Sequence, residues 1–523
     1  MLSKITSYAL VGLDGVPVEV ETDINKGVVA FDIVGLPDTA VKESKERVYS
    51  AIRNSALKFP VNKITVNLAP ADIKKEGSQY DLPIAVSLLV ASEQISVGTE
   101  GIVMLGELAL DGSLRAVTGI LPVIISAKSR GFKKFIVPYA NANEASYIEG
   151  IEVYALKSLS EAVAFLQGNN GANGDDCSDT AGACFTPVPT RSFEAAKRNA
   201  VYNTDMRFVR GQVIAKRAME IAVAGGHNIL LSGPPGAGKT MLARCLPTIM
   251  PDMTFDEALE VTKILSVSGE LGEEGIATLR PFRTPHHTAT TVSLCGGGTN
   301  KIRAGEISKA HRGVLFLDEL PEYSRSALEA LRQPLEDGKI TVTRVGGAVT
   351  FPADFILCAS MNPCPCGNLG SKERTCTCTP AQILRYRSKI SGPLLDRIDL
   401  QVEVDAVKYD ELSSGQDGEP SSEVKRRVET ARALQRERFR DEEGVSVNAD
   451  MGEKQLREYC ALTPDCENIL RTAFERLSLS ARARSRIIKV ARTIADLDAS
   501  KDICPKHILE ATSYRNFDST REI

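Results

Sequence analysis

Residues His227–Leu242 read HNILLSGPPGAGKTML. The run Ile229–Leu231 is short, unbroken and apolar, which suits a strand covered on both faces, and a helical pattern begins after Thr240. Between them Gly233, Pro234, Pro235, Gly236, Ala237 and Gly238 precede Lys239 and Thr240. This is G-x-x-x-x-G-K-T in a strand–loop–helix setting. Glycines in such a loop let backbone N–H groups converge on phosphate oxygens, and the helix N-terminus adds a favourable dipole. Lys239 is expected to reach the β- and γ-phosphates of ATP, and Thr240 to ligate Mg2+. A glycine-rich turn with no such role would lack both the strand and the partner motif that follows.

That partner is Gly313–Leu320, GVLFLDEL, an apolar strand ending in two carboxylates. Asp318 at the strand end is expected to hold Mg2+, usually through water. Glu319 is expected to polarise the attacking water, which separates a hydrolysing site from one that only binds. Phe355–Asn362 (FILCASMN) is a further strand ending in a polar amide. Asn362 is positioned to orient the water or to sense the γ-phosphate; outside this context it reads as a turn residue.

The chain has 523 residues, 43% hydrophobic, enough for about three folded units at roughly 100–200 residues each. With 63 basic against 67 acidic residues the net charge is −4, so any nucleic-acid contact must come from local patches. Trp is absent and aromatics make up 5%, which argues against an open base-stacking platform. Met1–Val20 interleaves polar residues and does not read as a signal peptide, and no run of 18 apolar residues occurs. Four of twelve cysteines fall between Cys364 and Cys378, which suggests a reducing compartment. The expectation is a soluble cytoplasmic protein with no membrane partner.

Composition divides the chain. Residues 168–190 are rich in Gly, Asn, Asp and Pro and read as a flexible linker after a folded unit at 1–167. Residues 191–412 alternate β-branched runs with helical stretches and read as α/β. Ser413–Ser422 is a second break, and the remainder, 413–523, reads as entirely helical: Ser422–Glu443, Pro464–Leu477, Ala481–Leu497 and Pro505–Tyr514.

The order of motifs then carries a resemblance. Phosphate loop, Asp-Glu strand, Asn-terminated strand and Ser391–Asp399 (SGPLLDRID) together resemble the AAA+ ATPases. Ile340–Phe351 (ITVTRVGGAVTF) matches a pre-sensor hairpin, two alternating runs around a Gly-Gly turn, and the stretch between Thr240 and Asp318 leaves room for a helix-2 insert. These features look like the group holding magnesium-chelatase motor subunits and MCM helicases. The resemblance implies that Arg397 is an arginine finger reaching a neighbouring subunit's γ-phosphate; a surface ion pair with Asp396 or Asp399 is the alternative. It also implies that Arg482 is the second sensor, closing the helical lid on the nucleotide; a solvated basic face is the alternative there.

Two segments stand apart. Cys364, Cys366, Cys376 and Cys378 form C-x-C-x9-C-x-C, and four thiolates can close a tetrahedral Zn2+ site; reduced, unliganded cysteines remain open. Arg280–Thr288 (RPFRTPHHT) falls in the expected insert, where Arg280 and Arg283 with His286 and His287 can contact phosphate backbone in a central pore or serve structure alone. Two adjacent histidines on an extended strand point to opposite faces. Gly296–Gly298 is a candidate pore tip.

In the N-terminal unit, Lys75–Pro83 (KEGSQYDLP) and Gly106–Ile120 resemble the Lon-type protease domain, an α+β fold of the ribosomal S5 domain 2 type. Aligning the glycines puts Gln79 near that family's serine and Val123 at its lysine, with Ser78 and Lys128 displaced. A serine without an adjacent amine stays protonated and weakly nucleophilic, so this unit is expected to be catalytically dead. Lon-like domain, linker, AAA+ core and lid in this order look like the ComM/YifB family, often labelled magnesium-chelatase-like. That resemblance implies a hexameric ATP-hydrolysing ring that moves on single-stranded or branched DNA, promoting branch migration in natural transformation. The alternatives are a chelatase-type motor that remodels a partner protein, an active Lon-type protease, and a scaffold that binds ATP without turnover.

Overall fold

The computed structural model describes residues 2–96, 98–168, 185–298, 302–344, 347–370, 374–406, 417–477 and 480–515. Most of the expected linker, the turn of the hairpin at 345–346 and much of the second break lie outside the described residues. The chain forms two compact units. The first holds Met1–Asn199, Phe255–Thr278 and Thr299–Arg303; the second holds Ala200–Thr254, Leu279–Gly298 and Ala304–Ile523.

The first unit is built on a seven-stranded mixed sheet. Its strands are β1 (Leu2–Val11), β2 (Asp14–Asn25), β3 (Ala30–Val34), β4 (Lys63–Ala69), β5 (Ile102–Met104), β6 (Lys134–Pro138) and β7 (Glu152–Leu156), in the order β3-β4-β2-β1-β5-β6-β7. β1 and β2 pair antiparallel from Leu2↔Asp23 to Val11↔Asp14. Their inward residues Ile5, Val18 and Val20 are buried. Helix α1 (Thr39–Asn54) starts at Asp38, whose carboxylate accepts from the Val41 N–H at 2.8 Å, an ordinary N-cap. It buries Val41, Val48, Ala51 and Ile52. Helix α2 (Asp81–Ala91) is apolar on every side and is buried almost throughout, as such a helix must be. Helix α3 is Ile120–Ser129.

Helix α4 (Phe255–Ser268) also belongs to this first unit, where the sequence reading assigned it to the nucleotide core. Its inward face, Ala258, Val261, Ile264 and Val267, is buried, and Leu259 packs on the cluster of Leu121, Ile124 and Ile148. Polar ties reinforce the docking. Buried Glu144 accepts from the Leu121 N–H at 2.9 Å and pairs with the Ser266 hydroxyl. Burial pushes its carboxyl above the usual range, against the Ser266, Leu121 and Asn141 hydrogen bonds.

The second unit holds a five-stranded parallel sheet: β8 (Ile229–Ser232), β9 (Phe282–Arg283), β10 (Val314–Leu317), β11 (Ile356–Met361) and β12 (Leu400–Glu403), in the order β9-β10-β11-β8-β12. β8 is an interior strand, flanked by β11 and β12, and fully buried, which explains why its sequence is a continuous apolar run rather than an alternation. Lys339–Arg344 and Gly347–Pro352 pair as the expected antiparallel hairpin. Among the C-terminal helices are α5 (Ser421–Arg438), α6 (Pro464–Leu477), α7 (Ala481–Leu497) and α8 (Pro505–Ser513). Ser480 caps α7 by accepting from Ala483 N–H, and Ile487, Ile488, Ala491 and Ile494 line its buried face at helical spacing. Val428, Ile487, Ile494 and Ile508 join Ile229, Leu231, Val314 and Leu400 in one core. Sheet and C-terminal helices therefore form one hydrophobic body, although the sequence reading divided them at residue 412. No helix among the described residues is long and apolar enough to cross a membrane.

Candidate nucleotide site

All five strands point the same way, so their carboxyl ends share one edge of the sheet, where ligands of open α/β sheets bind. The loop Gly233–Gly238 leaves β8 at that edge and enters the helix Lys239–Ile249. Gly236 and Gly238 have φ of +80° and +84°, backbone that side chains rarely adopt, which is why the loop needs glycine there. The Lys239 ammonium donates to the carbonyls of Gly233 at 2.6 Å and Pro234 at 3.0 Å, and to Asn362 Oδ1 at 3.2 Å. It thereby joins the loop to the end of β11. Burial holds its pKa below the ordinary lysine value, opposed by the charges of Asp318 and Glu319.

Thr240 Oγ1 donates to Asp318 Oδ2 at 3.0 Å. Adjacent hydroxyl and carboxylate oxygens are the hard donors that Mg2+ takes alongside waters and substrate phosphates, so this pair fits the ion. Ser360 fixes the other Asp318 oxygen through its hydroxyl and accepts from the Glu319 N–H at 3.3 Å. Glu319 itself is left-handed, at φ +52°, and its side chain is 55% exposed. A strained, exposed carboxylate beside a rigidly held one is suited to meeting water.

His287 lies on the same carboxylate, its Nδ1 3.8 Å from Glu319 Oε2. The sequence reading treated His286 and His287 as extended, with rings on opposite faces. The segment instead turns, with Ala289 N–H bonded to His286 O at 2.8 Å, and the two rings lie 4.1 Å apart. Tyr323 pins the turn by donating to Pro285 O at 2.5 Å. Arg280 and Arg283, for which the sequence leaves phosphate contact and a structural role both open, are engaged internally. Arg280 donates to Pro251 O at 2.5 Å and Arg312 O at 2.7 Å, and Arg283 forks onto Glu306 at 2.7 and 2.9 Å.

The two expected nucleotide arginines lie elsewhere. Arg397 is buried, donates to Pro393 O at 2.9 Å and pairs with the Glu336 carboxylate. With Arg482, Arg486, Asn228, Phe355 and Asp399 it lines a cavity of about 400 Å³. Asn228, Phe355 and Asp399 immediately precede β8, β11 and β12, so this cavity lies at the amino edge of the sheet. The phosphate loop lies at the carboxyl edge, five residues or roughly 16 Å of strand away. Arg397 thus pairs with Glu336 rather than with Asp396 or Asp399. Arg482, expected as the second sensor closing the helical lid on the nucleotide, is exposed on the cavity wall beside Arg397. Arg486 bonds Asp399 Oδ1 at 2.5 Å, while His227 Nδ1 sits 3.3 Å from Oδ2. Burial opposes the charge on Asp399, yet Arg486 and His227 hold its carboxyl well below the usual range.

Sequence reasoning missed Ser360, Glu336 and the contact of His287 with Glu319. Ser360 was within reach: it stands two residues before Asn362 on a strand, hence on the same face. The other two are set by tertiary packing.

In the first unit Ser78 bonds Glu107, buried Lys75 donates to Pro70 O, and Lys128 donates to Glu149 O at 2.7 Å. No serine–lysine pair forms among these residues.

A phosphate loop on an interior strand, with a central Asn-terminated strand between it and the Asp-Glu strand, defines a P-loop ATPase of the AAA+ class. Three family models match the chain: "Magnesium chelatase, subunit ChlI" at residues 205–412, "Subunit ChlI of Mg-chelatase" at 20–141, and "Magnesium chelatase, subunit ChlI C-terminal" at 418–515. The protein YifB of Escherichia coli is 43% identical over 99% of this chain and 97% of its own length. The competence protein ComM of Haemophilus influenzae is 42% identical over 98% and 97%. Lon protease 2 of Bacillus subtilis is 31% identical over 123 residues, 23% of this chain and 22% of its own. The chain belongs to the ComM/YifB family of magnesium-chelatase-like AAA+ ATPases.

Proposed function

We propose that this protein is a ring-forming motor that hydrolyses ATP between neighbouring copies and moves on DNA, driving branch migration during recombination in natural transformation. One observation carries the reading of an intersubunit site: Arg397 and the phosphate loop occupy opposite edges of one sheet. A single chain cannot bring them together without breaking its core, whereas head-to-tail copies set the amino edge of one against the carboxyl edge of the next. Repeated contacts of that kind close into a ring, a hexamer on family resemblance. In this arrangement Arg397 leaves Glu336 for the neighbour's γ-phosphate, Arg482 follows it, Lys239 neutralises the phosphates, and Asn362 and Glu319 align the water. Thr240 and Asp318 would hold Mg2+, which would supply charge neutralisation to the triphosphate.

DNA as the track is supported by the family resemblance and by a relative that carries the name of a competence protein. A motor that follows the phosphate backbone needs no base-reading module, and the near-neutral composition is compatible with a few local contacts. The chelatase-subunit models favour a second reading, a motor that remodels a partner protein. ATP turnover measured with and without forked DNA, wild type beside Glu319→Gln, separates the two. Stimulation by DNA that vanishes in the variant supports the DNA motor; turnover indifferent to DNA refutes it. The first unit, in which Ser78, Lys75 and Lys128 form no serine–lysine pair, serves as a non-proteolytic domain. The four clustered cysteines are assigned to a structural Zn2+.

A further inference from the structure

The thiolate cluster lies against the nucleotide loop. The Sγ atoms of Cys364, Cys366 and Cys376 are 3.4, 3.7 and 3.6 Å apart, and all four, with Cys378, fall within 4.8 Å of one another. Four sulfurs tetrahedrally placed at about 2.3 Å from one Zn2+ would be about 3.8 Å apart. The three spacings among Cys364, Cys366 and Cys376 lie close to that figure, and Cys378 is near enough to complete the set.

The segment carrying these cysteines needs such a centre. From Pro363 to Thr379 its described residues are largely exposed or half-buried; Cys364 and Gly367 are buried. It is nevertheless fixed at both ends. It departs from β11 through Asn362, which holds Lys239, and arrives at Thr379, which caps the helix Pro380–Arg387 in a reciprocal box with Gln382. Between these ends the chain turns back, Gly367 N–H bonding Cys364 O at 3.0 Å. The turn brings Gly367, at φ +79°, against the phosphate loop so closely that a Cβ there would lie 2.6 Å from Pro235 Cδ.

We propose that the Zn2+ knuckle is a buttress of the phosphate loop, so that metal occupancy and nucleotide affinity are coupled. The inference rests on the zinc reading above and goes beyond it. The four thiolates fix the Cys364–Gly367 turn, the turn fixes Pro235 from outside, and Asn362 fixes Lys239 from within. Without the metal the loop must be ordered by the nucleotide itself, which weakens binding. Coupling of this kind is reciprocal: whatever factor zinc adds to nucleotide affinity, nucleotide adds to zinc affinity.

The test uses the full chain. Zinc released by a thiol reagent and read with a chromophoric chelator should give one ion per chain, lost in Cys376→Ser and Cys378→Ser. Absence of bound zinc overturns both the zinc reading and the buttress. A fluorescent ATP analogue is then titrated into the loaded and metal-stripped chain, with Mg2+ restored after the chelator is removed. The stripped chain should bind at least about fivefold more weakly, the lower end of ordinary coupling. Should stripping unfold the chain, competition for zinc against the chelator, with and without the analogue, reads the same factor on the folded protein. Gly367→Ala should keep its zinc and lose nucleotide affinity. Zinc bound with unchanged nucleotide affinity, or with a chelator midpoint indifferent to nucleotide, overturns the buttress and leaves the zinc site standing.

Discussion

Replacing Arg397 by alanine tests the intersubunit site most directly. In its own chain Arg397 lies across the sheet from the phosphate loop, roughly 16 Å of strand away. At that range a unit charge in water contributes about 0.3 kcal/mol to each phosphate charge, further reduced by salt beyond a Debye length of about 8 Å. An effect within one chain therefore stays within a few-fold. A guanidinium supplied by a neighbour contributes about 10³–10⁵ in rate, or roughly 4–7 kcal/mol. The fold should survive the change, because the deserted partner Glu336 has a side chain 60% exposed and is not stranded in the core. Arg397→Ala is thus expected to bind a fluorescent ATP analogue as wild type does and to lose at least a thousandfold in kcat, about 4 kcal/mol. Lys239→Ala should be equally inactive for the opposite reason. Mixed one to one in a head-to-tail ring, about one quarter of interfaces combine an intact phosphate loop with an intact Arg397. Steady-state phosphate release should accordingly recover toward a quarter of the wild-type rate if interfaces act independently. Wild-type turnover by Arg397→Ala alone, or co-assembled mixtures that stay dead, would refute the reasoning.

Glu319→Gln should keep nucleotide affinity and lose turnover by at least about a hundredfold, as expected for removing a base that activates water, read by phosphate release beside equilibrium binding. His287→Ala should lower kcat by about tenfold with little change in KM, since His287 touches Glu319 and not the phosphate loop; a pure KM effect would argue that it meets substrate instead. Asp399 has its carboxyl depressed in the fold by Arg486 and His227 despite burial, so the stability it contributes is complete above the unfolded value of about 3.9 and drains away as pH falls below it. Thermal melts of wild type and Asp399→Asn should therefore differ most near neutrality, with the gap beginning to close below about pH 4 and narrowing further as pH falls toward the depressed folded value; a gap that widens in acid contradicts the assignment. A truncated chain starting at residue 191 should expose the apolar face of α4, bind a hydrophobic dye and aggregate; a soluble truncate with native nucleotide affinity would show that α4 does not depend on the first unit.

The parts of this molecule legible in its sequence are those fixed by local rules. The phosphate loop, the Asp-Glu strand and the helix Ala481–Leu497 each carry their own period, glycine or cap, and each stands where its pattern predicts. What escaped depends on edges and neighbours. Arg482 shares a helical spacing with Arg486, and nothing in that spacing tells which edge of a sheet the helix will overlie. His287 stands two residues after Pro285 and reads as extended until Tyr323, 38 residues beyond that proline, pins the turn. Glu336 reads as one more exposed acid; only the fold brings it to Arg397 across 61 residues.

The ownership of α4 gives the first unit a structural task in this chain. Between the phosphate loop and the Asp-Glu strand the chain leaves the nucleotide unit after Thr254 and returns at Leu279. The excursion is costly to undo. Its buried Val261, Ile264 and Val267 would each cost about 1.5–3 kcal/mol to expose, and Ala258 less. Glu144 would lose Ser266 while still buried beside Leu121, at a further 1–3 kcal/mol or so. Gly275 adds a geometric lock, at φ +78° with a Cβ position only 2.4 Å from the Asn143 carbonyl carbon, so the segment after α4 also follows the first unit's surface closely. Tyr147 and Asn143 hold that segment through the carbonyls of Glu274 and Glu273 at 3.1 and 2.8 Å. Whatever else the first unit does, it is needed to cover this face, and the segment it covers is covalently continuous at both ends with the nucleotide unit.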